Sequence, residues 1–161
     1  MKTGVDNSGV LTDKVLGGRV FVLSAKTFVE TVKMLGASIS QPAADALFWN
    51  MGHRYGLALG NKFKEKSPDE GIMILSVAAM NSGWGLPQVV NNYYSEGVIE
   101  VSFENCVFCD GLSGSDSPRC YFLAGVLTGI AESLYHERFK TLETECIAKN
   151  NQVCRFVIRK E

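Results

Sequence analysis

Apolar positions recur along this chain at two spacings, and the switches between them mark out its elements. Residues 19–23 have the β-branched and aromatic content of a short strand. Ser24 then offers a capping hydroxyl to a helix with Phe28, Val32 and Leu35 on one face and Gly36 at its end. Pro42 stands near the start of a longer helix over residues 43–66, with Leu47, Met51, Tyr55 and Ala58 at helical spacing. Pro68 opens a third helix that runs to residue 80. The period then changes to two: residues 88–94 and 98–104 read as strands joined by Ser95, Glu96 and Gly97, with Ile99, Val101 and Phe103 on the buried face. Ser117 and Pro118 predict the start of a fourth helix over residues 118–135, whose core stripe is Leu123, Leu127, Ile130 and Leu134. Strands over 138–148 and 152–159 close the chain as a second hairpin. The pattern as a whole predicts an α+β fold, an antiparallel sheet of about four strands in two hairpins packed with about four helices.

Gly52, Gly56 and Gly60 form a ridge without side chains along the second helix. Glycine costs about 1 kcal/mol per position in a helix, and close packing against another helix is what offsets it. Gly125 and Gly129 offer a matching bare patch on the fourth.

The 161 residues, 46% of them hydrophobic, suffice for one domain with a substantial core, read here as residues 19–161 behind a flexible arm at 1–18. The net charge is -1, with 16 basic and 17 acidic residues dispersed, so there is no basic stripe for nucleic acid. The amino terminus is polar and carries Gly4, Gly9, Gly17 and Gly18, unlike a secretory signal. Apolar runs break well before the roughly 20 residues that a membrane-spanning helix requires. A cytoplasmic protein with no membrane partner is expected.

The five cysteines change the picture, because they are odd in number and confined to residues 106–154. Clustered thiols of this kind indicate metal or redox chemistry rather than a disulfide framework. A three-residue loop at Lys149, Asn150 and Asn151, with an asparagine in the left-handed conformation, sets Cys146 opposite Cys154 on one sheet face, close enough for both to bind one zinc. Cys120 at the start of the fourth helix and Glu143 complete a possible set of four. Residues 143 and 146 share a face only if a bulge lies between them, and the reading predicts one. A Cys3Glu site with zinc carries a charge of about -2, for which Arg119, Lys149 and Arg155 are candidate donors. On geometry alone, these residues read equally as zinc ligands or as three buried cysteines beside an exposed glutamate. Cys106 and Cys109 fall at a strand end, where odd spacing turns the thiols apart, so they read as small buried residues rather than a redox pair or a second metal site. His53 and His136 sit in no nucleophile pattern, His136 suits a helix end, and no Gly-x-Ser-x-Gly or phosphate loop is present.

Three stretches then resemble one family: Cys120-Tyr-Phe-Leu-Ala-Gly-Val-Leu-Thr-Gly129, Leu142-Glu-Thr-Glu-Cys146 and Val153-Cys-Arg-Phe156. They are similar to the carboxy-terminal half of the 4-vinyl-reductase domain family. The zinc ligands of that family follow the spacing C-x22-E-x2-C-x7-C, which Cys120, Glu143, Cys146 and Cys154 reproduce at every interval. The resemblance continues more weakly upstream through the glycine helix. It implies a structural zinc with no open position for a catalytic water. It also implies a fold shared with TRAPP transport subunits and nitric-oxide-binding haem domains, built around an apolar ligand cavity and commonly homodimeric. No helix-turn-helix or ATPase pattern follows, so the free-standing form is expected.

Trp84, Tyr94, Phe103, Tyr121 and Phe122 are the large side chains placed to wall such a pocket. Phenol sensors of the family bond the phenol hydroxyl through a histidine and a tryptophan. This chain has no histidine over 84–90 and no tryptophan near Phe103, so the resemblance points instead to a lipid chain, an aromatic hydrocarbon or a tetrapyrrole. The expected function is a zinc-stabilised, non-enzymatic binding domain for an apolar small molecule. A protein scaffold resembling the transport subunits and an accessory factor in tetrapyrrole metabolism are the alternatives.

Overall fold

Ser24, Ser40 and Ser67 each end an irregular stretch with a hydroxyl, and a helix follows each of them in the computed structural model, which describes residues 4–5, 10–13 and 18–161. Ser24 accepts from the Thr27 N–H at the start of α1 (Ala25–Ser38). Ser40 accepts from Ala43 at the start of α2 (Gln41–Gly60). Ser67 and Glu70 form a reciprocal capping box on α3 (Pro68–Asn81). Three short strands precede them, β1 (Gly4–Val5), β2 (Leu11–Asp13) and β3 (Gly18–Arg19), paired antiparallel as a separate small sheet. The strand expected over 19–23 shrinks to its first residue, because Phe21 and Val22 are 81% and 84% exposed and have no sheet to face. The helix expected to reach residue 66 ends at Gly60, where the N–H groups of Lys62 and Phe63 turn back to the carbonyls of Leu59 and Gly60.

The main sheet contains β4 (Leu86–Tyr93), β5 (Val98–Glu104), β6 (Phe139–Glu145) and β7 (Cys154–Lys160) in the order β4-β5-β7-β6, with every pair antiparallel. This is the sheet of two hairpins that the sequence predicts, with β7 between the strands of the first hairpin and β6. Gly97, at φ 71°, makes the turn between β4 and β5. Ile99, Val101 and Phe103 of β5 point inward and join Phe156 and Ile158 of β7 in the core.

Helix α4 (Tyr121–Tyr135) lies between that sheet and α2. A Cβ placed on Gly52 or Gly56 would collide with the carbonyl oxygen of Phe122 or Val126, and one on Gly125 or Gly129 with that of Trp49 or His53. The close crossing read from the glycine spacing is therefore present. The paired positions rise together along both helices, so α2 and α4 run parallel. His53 locks the crossing through a 2.6 Å bond from its Nε2 to Glu132 Oε2 and stacks on Trp49. Across the other face of α4, the buried Thr128 hydroxyl donates to Thr141 of β6 at 2.7 Å.

Helix α4 begins three residues later than Ser117 and Pro118 predict. Ser115 and Ser117 bond to each other in a local turn, with Arg119 donating to the Ser115 hydroxyl, so neither serine caps the helix. The N-cap residue is Cys120, whose own side chain makes no capping bond. Its N–H donates instead to Glu143 Oε2 at 2.9 Å, so a carboxylate on the sheet performs the capping.

Candidate metal centre and apolar cavity

The amino end of α4 is where the sheet and its connecting turns deliver their chemistry. Phe139 and Glu143 alternate inward along β6, and the ladder slips between Glu143 and Glu145, which is the predicted bulge. The extra residue, Thr144, lets both Glu143 and Cys146 face the interior despite their odd spacing. Cys146 follows the last paired position, Glu145 opposite Arg155, and Cys154 precedes it. The connection is longer than the expected three-residue loop, because β6 stops at Glu145 and β7 starts at Cys154; it contains a 3-10 turn (Ile147–Lys149) followed by Asn150 at φ 66°, the left-handed asparagine that was expected. Asn151 Oδ1 accepts from the Cys146 N–H, and the Ile147 N–H donates to Cys154 Sγ at 3.4 Å.

Cys120, Glu143, Cys146 and Cys154 bring one donor atom each to within 4.8 Å of one another. All three cysteines are at most 1% exposed and unbridged, and Glu143 is 9% exposed. One carboxylate oxygen caps α4, while the other, Oε1, is buried with no hydrogen-bond partner. A buried ionised oxygen without a donor costs several kcal/mol, and a cation beside it is one way to satisfy it. Burial, and next the charge of Cys146, push the Glu143 carboxyl up to about 8. The donor set therefore fits a metal ion.

Cys106 and Cys109, which the sequence reading set aside as small buried residues, are buried and also lie among the other thiols. Strand β5 ends at Glu104, and residues 107–109 form a 3-10 turn with Cys106 at its start. Positions i and i+3 eclipse in such a turn, so both thiols point the same way, opposite to the expectation from a strand. Cys106 Sγ lies 3.7 Å from Cys120 Sγ, Cys109 Sγ lies 3.4 Å from Cys154 Sγ, and Cys120 and Cys154 are 3.6 Å apart. Cys106, Cys109, Cys120 and Cys154 form a second group of four, all buried and mutually within 4.8 Å. Hydrogen bonding among the thiols, with Cys106 the leading neighbour in each case, pulls Cys109 well down and pushes Cys120 and Cys154 well up. Once one thiolate forms, its neighbours keep their protons unless a cation replaces them. The C-x2-C spacing was the available signal, and the unforeseen turn concealed it. Of the three cations proposed as donors, Arg155 pairs with Glu100 and Glu145, and Arg119 bonds to Ser115.

Further along α4, an apolar cavity of about 70 Å³ opens between α2, α3, α4 and the sheet. Trp84 and Phe103 line it, together with Leu59, Leu75, Val101, Leu123, Val126 and Tyr135. Tyr121 and Phe122 border a separate, smaller space beside Phe28 and Phe48. Tyr94 stacks on Tyr135 with the ring centres 4.0 Å apart, and its hydroxyl donates to Glu137. The hydroxyl oxygen of Tyr135 is sealed from solvent and makes no hydrogen bond. Asn92 is close enough to influence its ionisation, but donates its amide to Asp69.

The family comparison is decided by the strands and helix that carry these thiols. Residues 99–160 match the 4-vinyl-reductase domain. The match spans β5, the thiol turn, α4 and the closing hairpin. Over 65 residues the chain is 34% identical to uncharacterized protein MJ1642 of Methanocaldococcus jannaschii, a match covering 40% of this chain and 40% of that one, less than half the length of either. The likeness in fold extends past the domain match. The phenol-responsive sensory domain of the transcription activator PoxR superposes with a TM-score of 0.80 at 18% identity, over 95% of this chain and 81% of that one. A vinyl-4-reductase family protein from Methanocaldococcus jannaschii gives 0.66 at 17% identity, over 88% and 84%. A trafficking protein particle complex subunit 3 from Naegleria fowleri, covalently bound to palmitic acid, gives 0.62 at 16% identity, over 85% and 95%. The fold is thus the TRAPP-like one that the sequence resemblance implied. Among the described residues, no helix is long and apolar enough to cross a membrane.

Proposed function

We propose that this protein is a small-molecule-binding domain in which zinc, held by Cys120, Glu143, Cys146 and Cys154, braces α4 to the sheet while an apolar ligand fills the cavity beside it. The observation that carries the reading is a cavity with largely apolar walls that include Tyr135, whose buried hydroxyl accepts and donates no hydrogen bond, with Asn92 beside it. Such a wall suits a hydrophobic ligand with a single hydrogen-bonding group, whose arrival would satisfy that hydroxyl. The small volume favours a ring or short hydrocarbon over a tetrapyrrole. The phenol-responsive domain and the palmitate-bound subunit share this fold, which supports an organic occupant here.

Zinc suits a set of three thiolates and one carboxylate, and all four coordination positions come from the protein. Its role is therefore structural: it ties the N-cap of α4 to β6 and β7 and satisfies the idle oxygen of Glu143. Zinc would supply cross-linking, while Trp84, Leu123 and Tyr135 would select the ligand. The occupancy of the cavity makes the protein a sensor or carrier rather than an enzyme. A protein-binding scaffold is the second reading, favoured by Met73, Val77 and Met80 of α3, which are 62%, 48% and 46% exposed.

Metal analysis together with native and denaturing mass spectrometry of the purified protein tests both parts. Zinc bound to the protein and an organic molecule released on denaturation are the expected results. A protein that holds no zinc loses the bracing role. One that binds no apolar compound but captures a protein partner supports the scaffold.

A further inference from the structure

Cys106 and Cys109 have no role in the function proposed above, and with Cys120 and Cys154 they have the geometry of a metal site. A tetrahedral ion with metal–sulfur bonds of about 2.3 Å holds its sulfurs about 3.8 Å apart. The three closest thiol separations, 3.4, 3.6 and 3.7 Å, link Cys109, Cys154, Cys120 and Cys106 in a continuous chain at nearly that spacing. Cys106 is 3% exposed and Cys109 is 1% exposed, so water does not satisfy them.

We propose that the protein binds two metal ions in one thiolate cluster, the second held by Cys106, Cys109, Cys120 and Cys154, with Cys120 and Cys154 bridging to the first. The proposal rests on the Cys120, Glu143, Cys146 and Cys154 site as the home of the first ion. The two groups of four share Cys120 and Cys154, and together they contain six donors. Six donors exceed what one tetrahedral ion can take, whereas two ions sharing two sulfurs take four each.

Charge supports the second ion. Three thiolates and a carboxylate around one divalent ion total about -2, and adding a second divalent ion with two more thiolates leaves that total unchanged. Each thiol surrenders its proton to solvent on binding, so no oxidant or reductant is involved. A soft, tetrahedral divalent cation is the matching class, zinc first. The turn at 106–109 becomes a second clasp, joining the end of β5 to α4 and β7. Both clasps then meet at the N-cap of α4.

The test counts metal ions by native mass spectrometry on the full chain, saturated with zinc and then desalted. Wild type is expected to hold two ions, the Cys106→Ser/Cys109→Ser variant one, and the Glu143→Ala/Cys146→Ser variant one. A wild-type protein that never exceeds one ion overturns the proposal. If that single ion survives in Cys106→Ser/Cys109→Ser, the first site stands alone. If it survives only in Glu143→Ala/Cys146→Ser, the ion belongs to the four thiols and the first assignment falls as well. A titration of wild-type apoprotein with cobalt(II) needs no variant to fold. Thiolate charge-transfer absorbance should rise to two equivalents, and a break at one contradicts the cluster.

Discussion

The two ends of α4 are secured by opposite means. At its start, four elements converge on Cys120 through thiols and a carboxylate, with every donor buried. Along the rest of the helix, Leu123, Val126, Ile130 and Tyr135 face a space that α3 and the sheet do not fill. A helix held at one end by directional bonds can tolerate loose packing at the other. Unfilled apolar volume costs stability, by about 24 cal/mol per Å³ in engineered cavities, and that deficit is what a ligand can recover. A metal bound at the start, as proposed, would therefore allow the rest of the helix to remain available for a ligand.

The sharpest way to break this comparison is to remove the brace. Cys154→Ser deletes a donor common to both groups of four, and zinc loss removes binding energy on the order of 10 kcal/mol that contributes to folding. The variant should lose its zinc and melt at least about 10 °C below wild type. Unchanged metal content and melting temperature, by elemental analysis and circular dichroism, would show that these thiols are ordinary core.

Next in size is the helix crossing that supports both ends. Gly56→Val sets a branched side chain against the backbone carbonyl of Val126, which cannot swing aside as a side chain could. The expected cost is about 3 kcal/mol or more. Gly18→Ala, with nothing within 4 Å of the added carbon, is the matched control and should be neutral within about 0.5 kcal/mol. Equal denaturation midpoints for the two variants would refute the tight crossing.

The same contrast explains what could be read from the sequence. The clustering of donors was legible because few residues carry it at fixed spacing: Cys120, Glu143, Cys146 and Cys154 stand at intervals that also required the bulge at Thr144. Gly52, Gly56 and Gly60 foretold the crossing for the same reason, since a bare ridge has one main physical use. The cavity wall was harder to see. Its side chains come from α2, α3, α4 and three strands, so no local pattern marks them, and of the five aromatics proposed only Trp84 and Phe103 lie on it. The start of α4 was misplaced because its cap, Glu143, lies 23 residues away. Cys106 and Cys109 are buried as expected, but the direction of their thiols was misjudged for a related reason, being set by a short turn that hydrophobic periodicity does not register.

A smaller effect separates the empty brace from the loaded one. Without metal, burial and the neighbouring Cys146 raise the Glu143 carboxyl from 4.5 to about 8, so the folded state holds a proton that the unfolded chain has released. That contribution to stability is complete below pH 4.5 and is lost as pH rises towards 8. The zinc-loaded protein must behave in the opposite sense, because a ligating carboxylate and thiolates bind metal better as protons leave. Melting temperatures measured across this range should therefore diverge, the apoprotein falling and the zinc form holding or rising. Parallel curves would show that Glu143 does not ligate.

The smallest expected change lies at the other end of the helix. Tyr135→Phe removes a buried hydroxyl that has no partner and leaves the ring stacked on Tyr94, so the unliganded protein should gain about 1 kcal/mol. A ligand with a hydroxyl or carbonyl would lose the same group as its anchor, weakening its binding about tenfold. A pure hydrocarbon of similar size should bind the variant as well as it binds wild type, since it never used the hydroxyl. Displacement of a fluorescent probe by a phenol–toluene pair reads the difference directly. If the substitution weakens both compounds equally, Tyr135 only shapes the wall. If it weakens neither, the polar contact lies elsewhere in the cavity.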